Sequence, residues 1–134
     1  VKEKAPSSPI VRDCLRAFLV GGLICALGQA IQNGWLAAGL TKDDAGAATA
    51  CCLVLLSAIL TGLNVYNNIG RFGGAGSLIP ITGFANAVVS PAIDFKAEGL
   101  ITGMAAKMFT VAGPVIVFGS LASVIYGVVL MLLR

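Results

Sequence analysis

The polar side chains that could do chemistry in this chain gather around its middle. The chain has no histidine, and it carries nine lysines and arginines against six aspartates and glutamates. It contains neither a G-x-S-x-G nucleophile elbow nor a phosphate-binding loop with its lysine. We therefore expect no enzyme and no cofactor. The polar residues instead form a candidate path for a pore or a solute, made of Gln29, Gln32, Asn64, Arg71, Ser77, Thr82, Asn86, Asp94, Lys96, Glu98 and Lys107.

The four cysteines do not predict a metal site or a disulfide framework. No C-x-x-C pair is present, and no histidine could complete a zinc site. Cys25, Cys51 and Cys52 lie within apolar runs, where a cysteine behaves as a small hydrophobic residue. We expect all four, Cys14 included, to pack rather than to bind metal.

The elements that must position the polar residues are long and apolar. Four stretches run for twenty or more residues without a charge: Ala17–Thr41, Ala45–Gly70, Phe72–Ile93 and Met108–Leu133. About 18 apolar residues are enough for a helix to cross the ~30 Å hydrocarbon core of a bilayer. With 57% hydrophobic and 11% charged residues, the chain is too apolar for a soluble protein of its size. We predict an all-α integral membrane protein with three to four transmembrane helices.

The charges between the stretches indicate the orientation and the partners of the chain. The N-terminal segment is net positive, the turn of Lys42, Asp43 and Asp44 is net negative, and Arg71 stands alone after the second stretch. Since positive segments stay on the cytoplasmic side, we expect the N-terminus and Arg71 inside and the turn outside. Tyr66 suits an interfacial aromatic belt and could equally be a packing residue. We expect the lipid bilayer as a partner and no nucleic acid, because no basic face accompanies the charge.

The chain divides into a short tail and one membrane domain. Residues 1–11 are predicted to be a mobile polar tail, and residues 12–134 a single transmembrane helical domain. Thr41 or Asp43 is placed to cap the second helix. We expect Pro91 to end a short helix and Pro114 to lie near the start of the last one. The first helix should begin between Val11 and Leu15 and end near Leu36, and the others should cover Ala45–Tyr66, Gly83–Ser90, Leu100–Phe109 and Val111–Leu133.

The middle of the chain differs from an ordinary spanning helix. The segment Phe72–Gly83 carries a candidate broken-helix backbone, made of Gly73, Gly74, Gly76, Pro80 and Gly83. Non-helical backbone persists at membrane depth only where it is buried in protein or lines a water-filled cavity. We therefore predict a Gly/Pro-broken helical pair over Leu78–Phe109, which either is re-entrant or crosses the bilayer.

Three groups of polar residues each have two interpretations. Gln29, Gln32 and Asn33 form a stripe that serves either helix–helix contact or the wall of a wet vestibule. Lys107 either faces the polar path or snorkels to a membrane interface. The Asp94–Glu98 turn is either a constriction that acts on an anionic solute and its calcium, or an ordinary solvated loop.

Five longer motifs occur in order along the chain: Arg16–Gln29, Leu60–Tyr66, Phe72–Asn86, Glu98–Leu100 and Ala106–Gly119. Together they resemble the SpoVAC/SpoVAEb family of bacterial sporulation membrane proteins, and the last motif favours the AC branch. The resemblance implies a subunit of the complex that moves dipicolinic acid, with calcium, across the inner spore membrane in sporulation and germination. It also implies a tension-responsive channel that assembles with other sporulation transport subunits. It transfers no catalytic or ligand residues to this chain.

Two functions follow from these observations. The first is a membrane channel subunit for a small polar solute, in which the broken middle replaces the hydration of the solute. The alternative is a non-conducting membrane anchor or assembly subunit, whose small residues Gly21, Gly22, Gly28 and Gly62 serve only packing. Three or four helices are too few to enclose a wide pore, so a channel requires a homo-oligomer or a hetero-oligomer.

Overall fold

The computed structural model describes residues 9–133, and this part of the chain is helical without a β-strand. Its α-helices are α1 (Ile10–Ala37), α2 (Lys42–Gly62), α3 (Tyr66–Gly73), α4 (Ala75–Leu78), α5 (Ile81–Asp94) and α6 (Ala106–Leu133). A 3-10 turn over Lys96–Glu98 and a π-helical segment over Leu100–Ala105 precede α6. The prediction of an all-α protein is confirmed.

Three helices are long and apolar enough to cross a membrane. They are Ile10–Ala37, Lys42–Gly62 and Leu100–Leu133, the last of which joins the π-helical segment to α6. At 1.5 Å per residue, the shortest of them extends about 31 Å, which matches a hydrocarbon core of ~30 Å. The prediction of three to four transmembrane helices agrees with this result.

The predicted N-terminal tail falls mostly on residues 1–8, which lie outside the described residues. Its last two residues, Ile10 and Val11, belong to α1, so the helix begins one residue before the predicted range. At the other end, α1 extends to Ala37, one residue beyond the predicted Leu36.

The bounds of α2 confirm one prediction and correct another. Thr41 is the N-cap, and its Oγ1 accepts a hydrogen bond from the backbone N–H of Asp44 at 3.3 Å. The predicted end of this helix at Tyr66 is wrong, because α2 ends at Gly62. Asn64 takes a left-handed conformation with φ of 58°, which its short amide side chain tolerates better than most residues do.

The Gly/Pro-rich middle breaks into short helices, as predicted. Gly74 separates α3 from α4 with φ of 52°, a conformation that an added side chain would strain. Pro80 lies between α4 and α5, and its carbonyl oxygen accepts a hydrogen bond from the N–H of Gly83 at 2.8 Å. A continuous helix is therefore interrupted twice within this segment.

Two prolines lie inside helices, contrary to the prediction. α5 continues past Pro91 to Asp94, and the N–H of Phe95 donates to the Pro91 oxygen at 3.0 Å. Pro114 lies within α6, so Leu100–Phe109 is continuous with the last span and is not a separate short helix. Ending a helix in hydrocarbon would free several backbone groups with no water to bind them. A proline inside the helix removes only one backbone N–H, so continuing the helix loses fewer hydrogen bonds than ending it there.

The chain forms two compact units, Val1–Asn86 and Ala87–Arg134. In the first unit, α1 packs against α2, α3 and α4. In the second unit, the π-helical segment contacts both α6 and the Lys96–Glu98 turn. The single domain over residues 12–134 stays a prediction.

Glycines allow α1 to approach the short helices closely. A Cβ on Gly76 of α4 would overlap the carbonyl oxygen of Ala17 in α1. A Cβ on Gly73 of α3 would come within 2.8 Å of the Val20 side chain, and one on Gly21 within 3.2 Å of the Gly76 oxygen. The small residues of α1 therefore do pack against other helices at this end.

The other glycines that the packing hypothesis names differ in whether a neighbouring helix lies close to them. A Cβ on Gly28 would lie 3.4 Å from the Leu53 side chain, which is ordinary contact between α1 and α2. Gly22 and Gly62 have no neighbouring atom within 4 Å of such a Cβ. Packing in this structure accordingly accounts for Gly21 and Gly28, and leaves Gly22 and Gly62 without an explanation.

Candidate functional site

The first unit holds a buried group of hydrogen-bonded polar side chains, here named the hydroxyl cluster. It consists of Ser57, Thr61, Tyr66, Ser77, Thr82 and Asn86. Asn86 is half-buried, and the other members are buried. The first two come from α2, and the others come from α3, α4 and α5. The cluster therefore joins a long helix to all three short ones.

Tyr66 lies at the centre of the hydroxyl cluster. Its side chain is only 3% exposed, and its hydroxyl lies 2.8 Å from both the carbonyl oxygen of Ser77 and Oγ1 of Thr82. Because a phenol has one proton, Tyr66 donates to the carbonyl and accepts from the Thr82 hydroxyl. Of the two interpretations of Tyr66, the structure supports the packing residue and not the interfacial belt.

Ser57 and Thr61 connect α2 with the first turns of α5. The Ser57 hydroxyl donates to the carbonyl oxygen of Thr82 at 2.5 Å. Oγ1 of Thr61 lies 2.7 Å from the carbonyl oxygen of Ser57 and 2.8 Å from Oδ1 of Asn86. A hydroxyl has one proton, so both contacts are hydrogen bonds when the Asn86 amide turns its NH₂ group toward Thr61.

The hydroxyl cluster satisfies the backbone where the helices break. The carbonyl oxygens of Gly74, Ser77 and Thr82 lie in or beside the breaks, and each accepts a hydrogen bond from a side-chain hydroxyl. Across the part of the chain that the structure describes, no buried side-chain nitrogen or oxygen lacks a partner. The carbonyl oxygens at the breaks are therefore hydrogen-bonded within the protein, as irregular backbone at membrane depth requires.

The amides of α1 do not act as one stripe. Nε2 of Gln29 donates to Oδ1 of Asn33 at 2.9 Å, and both side chains are exposed. Gln32 is half-buried, and its Nε2 lies 4.0 Å from the place a Cβ on Gly46 of α2 would take. Gln32 thus lies toward α2, which fits helix–helix contact, while Gln29 and Asn33 bond to each other on the exposed side.

Two further candidates lie near α3. Asn64 is exposed, and its Oδ1 accepts a hydrogen bond from Nδ2 of Asn67 at 2.8 Å. Arg71 is exposed in the last turn of α3, where a cation is favourable beside the carbonyl end of the helix. Neither of these two candidates belongs to the hydroxyl cluster.

The second unit brings Lys107 to the Asp94–Glu98 turn through an aromatic ring. Lys107 is half-buried, and its Nζ lies 4.1 Å from the centroid of the Phe95 ring, which is a cation–π geometry. A Cβ on Gly103 would overlap the carbonyl oxygen of Phe95, so the π-helical segment packs directly under the turn. The charged side chains of the turn are all exposed: Asp94, Lys96 and Glu98. Their action on a solute, and that of Lys107, stay predictions.

The path predicted from the sequence omits three members of the hydroxyl cluster: Ser57, Thr61 and Tyr66. A signal for two of them exists, because the buried residues of α2 recur at every fourth position: Ala45, Thr49, Leu53, Ser57 and Thr61. Hydroxyls four residues apart on a buried face indicate hydrogen bonds to a neighbouring helix. Tyr66 has no comparable signal, because its two partners are 11 and 16 residues further along the chain.

Comparisons with known proteins agree on one group of membrane proteins. The family described as SpoVAC/SpoVAEB sporulation membrane protein matches residues 13–129. Stage V sporulation protein AC of Bacillus subtilis (strain 168) is 50% identical to this chain over 130 residues, which make up 96% of this chain and 87% of that protein. No solved structure matches.

Proposed function

This chain belongs to the SpoVAC/SpoVAEB sporulation membrane protein family, and we propose that it is a channel subunit for a small polar solute. The family resemblance supports dipicolinic acid, moved together with calcium, as the solute. It supports the inner membrane of the spore or forespore as the location, and membrane tension as a trigger for opening. In this proposal the chain conducts a solute and catalyses no reaction.

The observation that carries the proposal is the exposed amide pair on α1. Gln29 and Asn33 lie inside the uncharged stretch Ala17–Thr41, in the C-terminal half of a helix that is long and apolar enough to cross a membrane. An amide that faces lipid loses its water and gains no partner, so intramembrane polar residues face a bundle interior or a water-filled path. The bond between the two side chains uses one hydrogen-bonding position on each, and an amide offers up to four.

A path along α1 requires more than one chain. One chain has three helices of spanning length among its described residues, too few to enclose a wide pore. We propose a homo-oligomer, or a hetero-oligomer with other sporulation transport subunits, in which the amide pairs of neighbouring subunits line the path.

One observation favours the alternative of a non-conducting anchor. The hydroxyl cluster pairs the carbonyl oxygens of Ser77 and Thr82 and the buried side chains around them within the chain, so these groups need neither water nor a solute to complete their hydrogen bonds. In an anchor, Gln29 and Asn33 would bond to a partner helix instead of lining water.

The two functions differ in conductance and in their response to a charge at position 29. The full chain is placed in liposomes loaded with calcium dipicolinate, and release is measured after hypo-osmotic shock, with single-channel current recorded in planar bilayers. A channel subunit gives release and discrete current steps. Gln29→Leu lowers the conductance, and Gln29→Glu shifts ion preference toward cations, because a carboxylate in the path repels anions. Ser123→Ala is the matched control, since it removes an exposed hydroxyl that bonds within α6.

An anchor gives the opposite pattern. Neither release nor current steps occur in wild-type protein, and Gln29→Glu breaks up the assembly because it buries a charge against a partner helix. Cross-linking and mass measurement of the same preparations identify that loss. A conducting preparation that contains only monomers would refute the proposed oligomer.

A further inference from the structure

An apolar groove of about 560 Å³ lies in the first unit between α1, α2 and α3. Each helix lines it with one face: Val20, Ile24 and Leu27 from α1, Leu53 and Leu60 from α2, and Ile69 from α3. The spacings of three, four and seven residues are those of neighbouring positions on one side of a helix. The groove therefore follows α1 for at least two turns, which is about 10 Å.

A second cavity of about 460 Å³, here named the arginine pocket, adjoins one end of the groove. Its lining includes Arg16, Arg71 and Asp13, so it carries two arginines against one aspartate and is net positive. Phe72 lines both the groove and the arginine pocket and forms the wall between them. The guanidinium carbon of Arg16 lies 4.9 Å from the centroid of the Phe72 ring, which holds this cation at the boundary.

The register of α1 makes the two cavities one continuous surface. Arg16 precedes Val20 by four residues, and Val20 precedes Ile24 by four, so all three lie on the same face of the helix. Arg71, next to Phe72 in the last turn of α3, brings the second cation to the same end. A ligand with an anionic head and an apolar chain fits both cavities, with its head in the arginine pocket and its chain in the groove.

We propose that this surface binds one anionic phospholipid, with its phosphate at Arg16 and Arg71 and one acyl chain in the groove. Basic pockets between transmembrane helices bind anionic lipid headgroups, and guanidinium groups bind phosphate through paired hydrogen bonds. A free anion leaves the apolar groove empty, and a lipid with a quaternary ammonium head meets two arginines with a cation. Both ends of the surface are matched only by a lipid that carries net negative charge. The inference is independent of whether the chain conducts a solute.

The test measures the thermal unfolding of the full chain in a mild neutral detergent with three added ligands. These are dioleoyl phosphatidylglycerol, dioleoyl phosphatidylcholine and soluble glycerol 3-phosphate. We expect a rise in Tm that saturates with phosphatidylglycerol, and no saturable rise with the other two. Equal effects of glycerol 3-phosphate would identify a free-anion site, and equal effects of phosphatidylcholine a surface that does not select charge. Each of these results overturns the proposal, as does the absence of a saturable rise with any ligand, which is expected if a second copy of the chain fills the groove.

Variants at the arginines locate the effect. Arg16→Gln and Arg71→Gln should each raise the half-saturating concentration of phosphatidylglycerol roughly tenfold, because each removes charge-assisted hydrogen bonds to the phosphate. Lys42→Gln is the matched control, since it removes an exposed cation at the start of α2, outside both cavities. Each variant is compared with its own lipid-free Tm, so that a change in intrinsic stability does not enter the result. An unchanged half-saturating concentration in the double variant would refute the site.

Discussion

The hydroxyl of Tyr66, at the start of α3, holds two other short helices in place through hydrogen bonds. It bonds the carbonyl oxygen of Ser77, beside a helix break, and the hydroxyl of Thr82 in the first turn of α5. Both partners are buried, so without the phenol oxygen neither could turn to water. A single side-chain atom therefore connects three short helices.

Tyr66→Phe should consequently destabilise the first unit. The ring stays, but the Ser77 carbonyl and the Thr82 hydroxyl lose a partner in a buried place, which costs about 1–3 kcal/mol. We expect a lower Tm in thermal unfolding of the detergent-solubilised protein. Tyr126→Phe is the control, because Tyr126 is 66% exposed on α6. Equal Tm values for the two variants would contradict the central place given to Tyr66.

At the scale of elements, the contact of α1 with α4 depends on the absence of a side chain. Gly76 brings its backbone so close to Ala17 that an added Cβ would overlap the carbonyl oxygen there. Small residues at helix crossings provide the close packing that holds helices together where no hydrophobic force acts between them. α4 has four residues, so it depends on such neighbours for its position.

Gly76→Ala should therefore separate α1 from α4, whereas Gly22→Ala should not. Overpacking typically costs about 1–3 kcal/mol, and the rigid backbone oxygen of Ala17 places this variant at the upper end. At Gly22 a Cβ meets open space, and alanine favours the helix by up to about 1 kcal/mol. Tm measurements in detergent, together with the rate of proteolysis at the α3–α4 junction, give the comparison. A Gly76→Ala protein as stable as the Gly22→Ala protein would show that the two helices do not pack as described.

At the scale of the whole molecule, helix length predicts the side of the C-terminus. Three helical segments are long enough to cross a bilayer, while α5, with 14 residues, extends about 21 Å and falls short of the ~30 Å core. With an odd number of crossings and a cytoplasmic N-terminus, we expect the C-terminus outside. The short helices α3, α4 and α5 would then enter and leave on one side.

Reporter fusions after Arg134 measure this directly. Alkaline phosphatase should be active there, and green fluorescent protein should not fluoresce, because the first folds outside and the second inside the cytoplasm. The control is the reverse pattern for fusions at the N-terminus. Fluorescence at the C-terminus at equal protein abundance would mean that the middle segment crosses completely, as the positive-inside rule mildly favours through Arg134.

Features that depend on nearby residues were predictable from the sequence. The uncharged stretches predict membrane-spanning helices because length and hydropathy are properties of a contiguous segment, and the three long helices follow. Thr41 was recognisable as a cap because its partner is three residues away. The helix breaks at Gly74 and Pro80 were expected because glycine and proline act on their own backbone.

The same local rules failed where a helix lies in hydrocarbon or contacts residues distant in the sequence. Pro91 and Pro114 lie inside helices because hydrocarbon offers no substitute for the bonds that an earlier end would free. The hydroxyl cluster joins residues 11, 16 and 25 positions apart, and no local pattern indicates that Tyr66 reaches Thr82 or which neighbouring helix Ser57 bonds to. By itself the sequence determined that the chain enters the bilayer and that its helices break at Gly74 and Pro80. Tertiary structure decided which hydroxyls satisfy those breaks, because a hydrogen bond depends on distance in space and not along the chain.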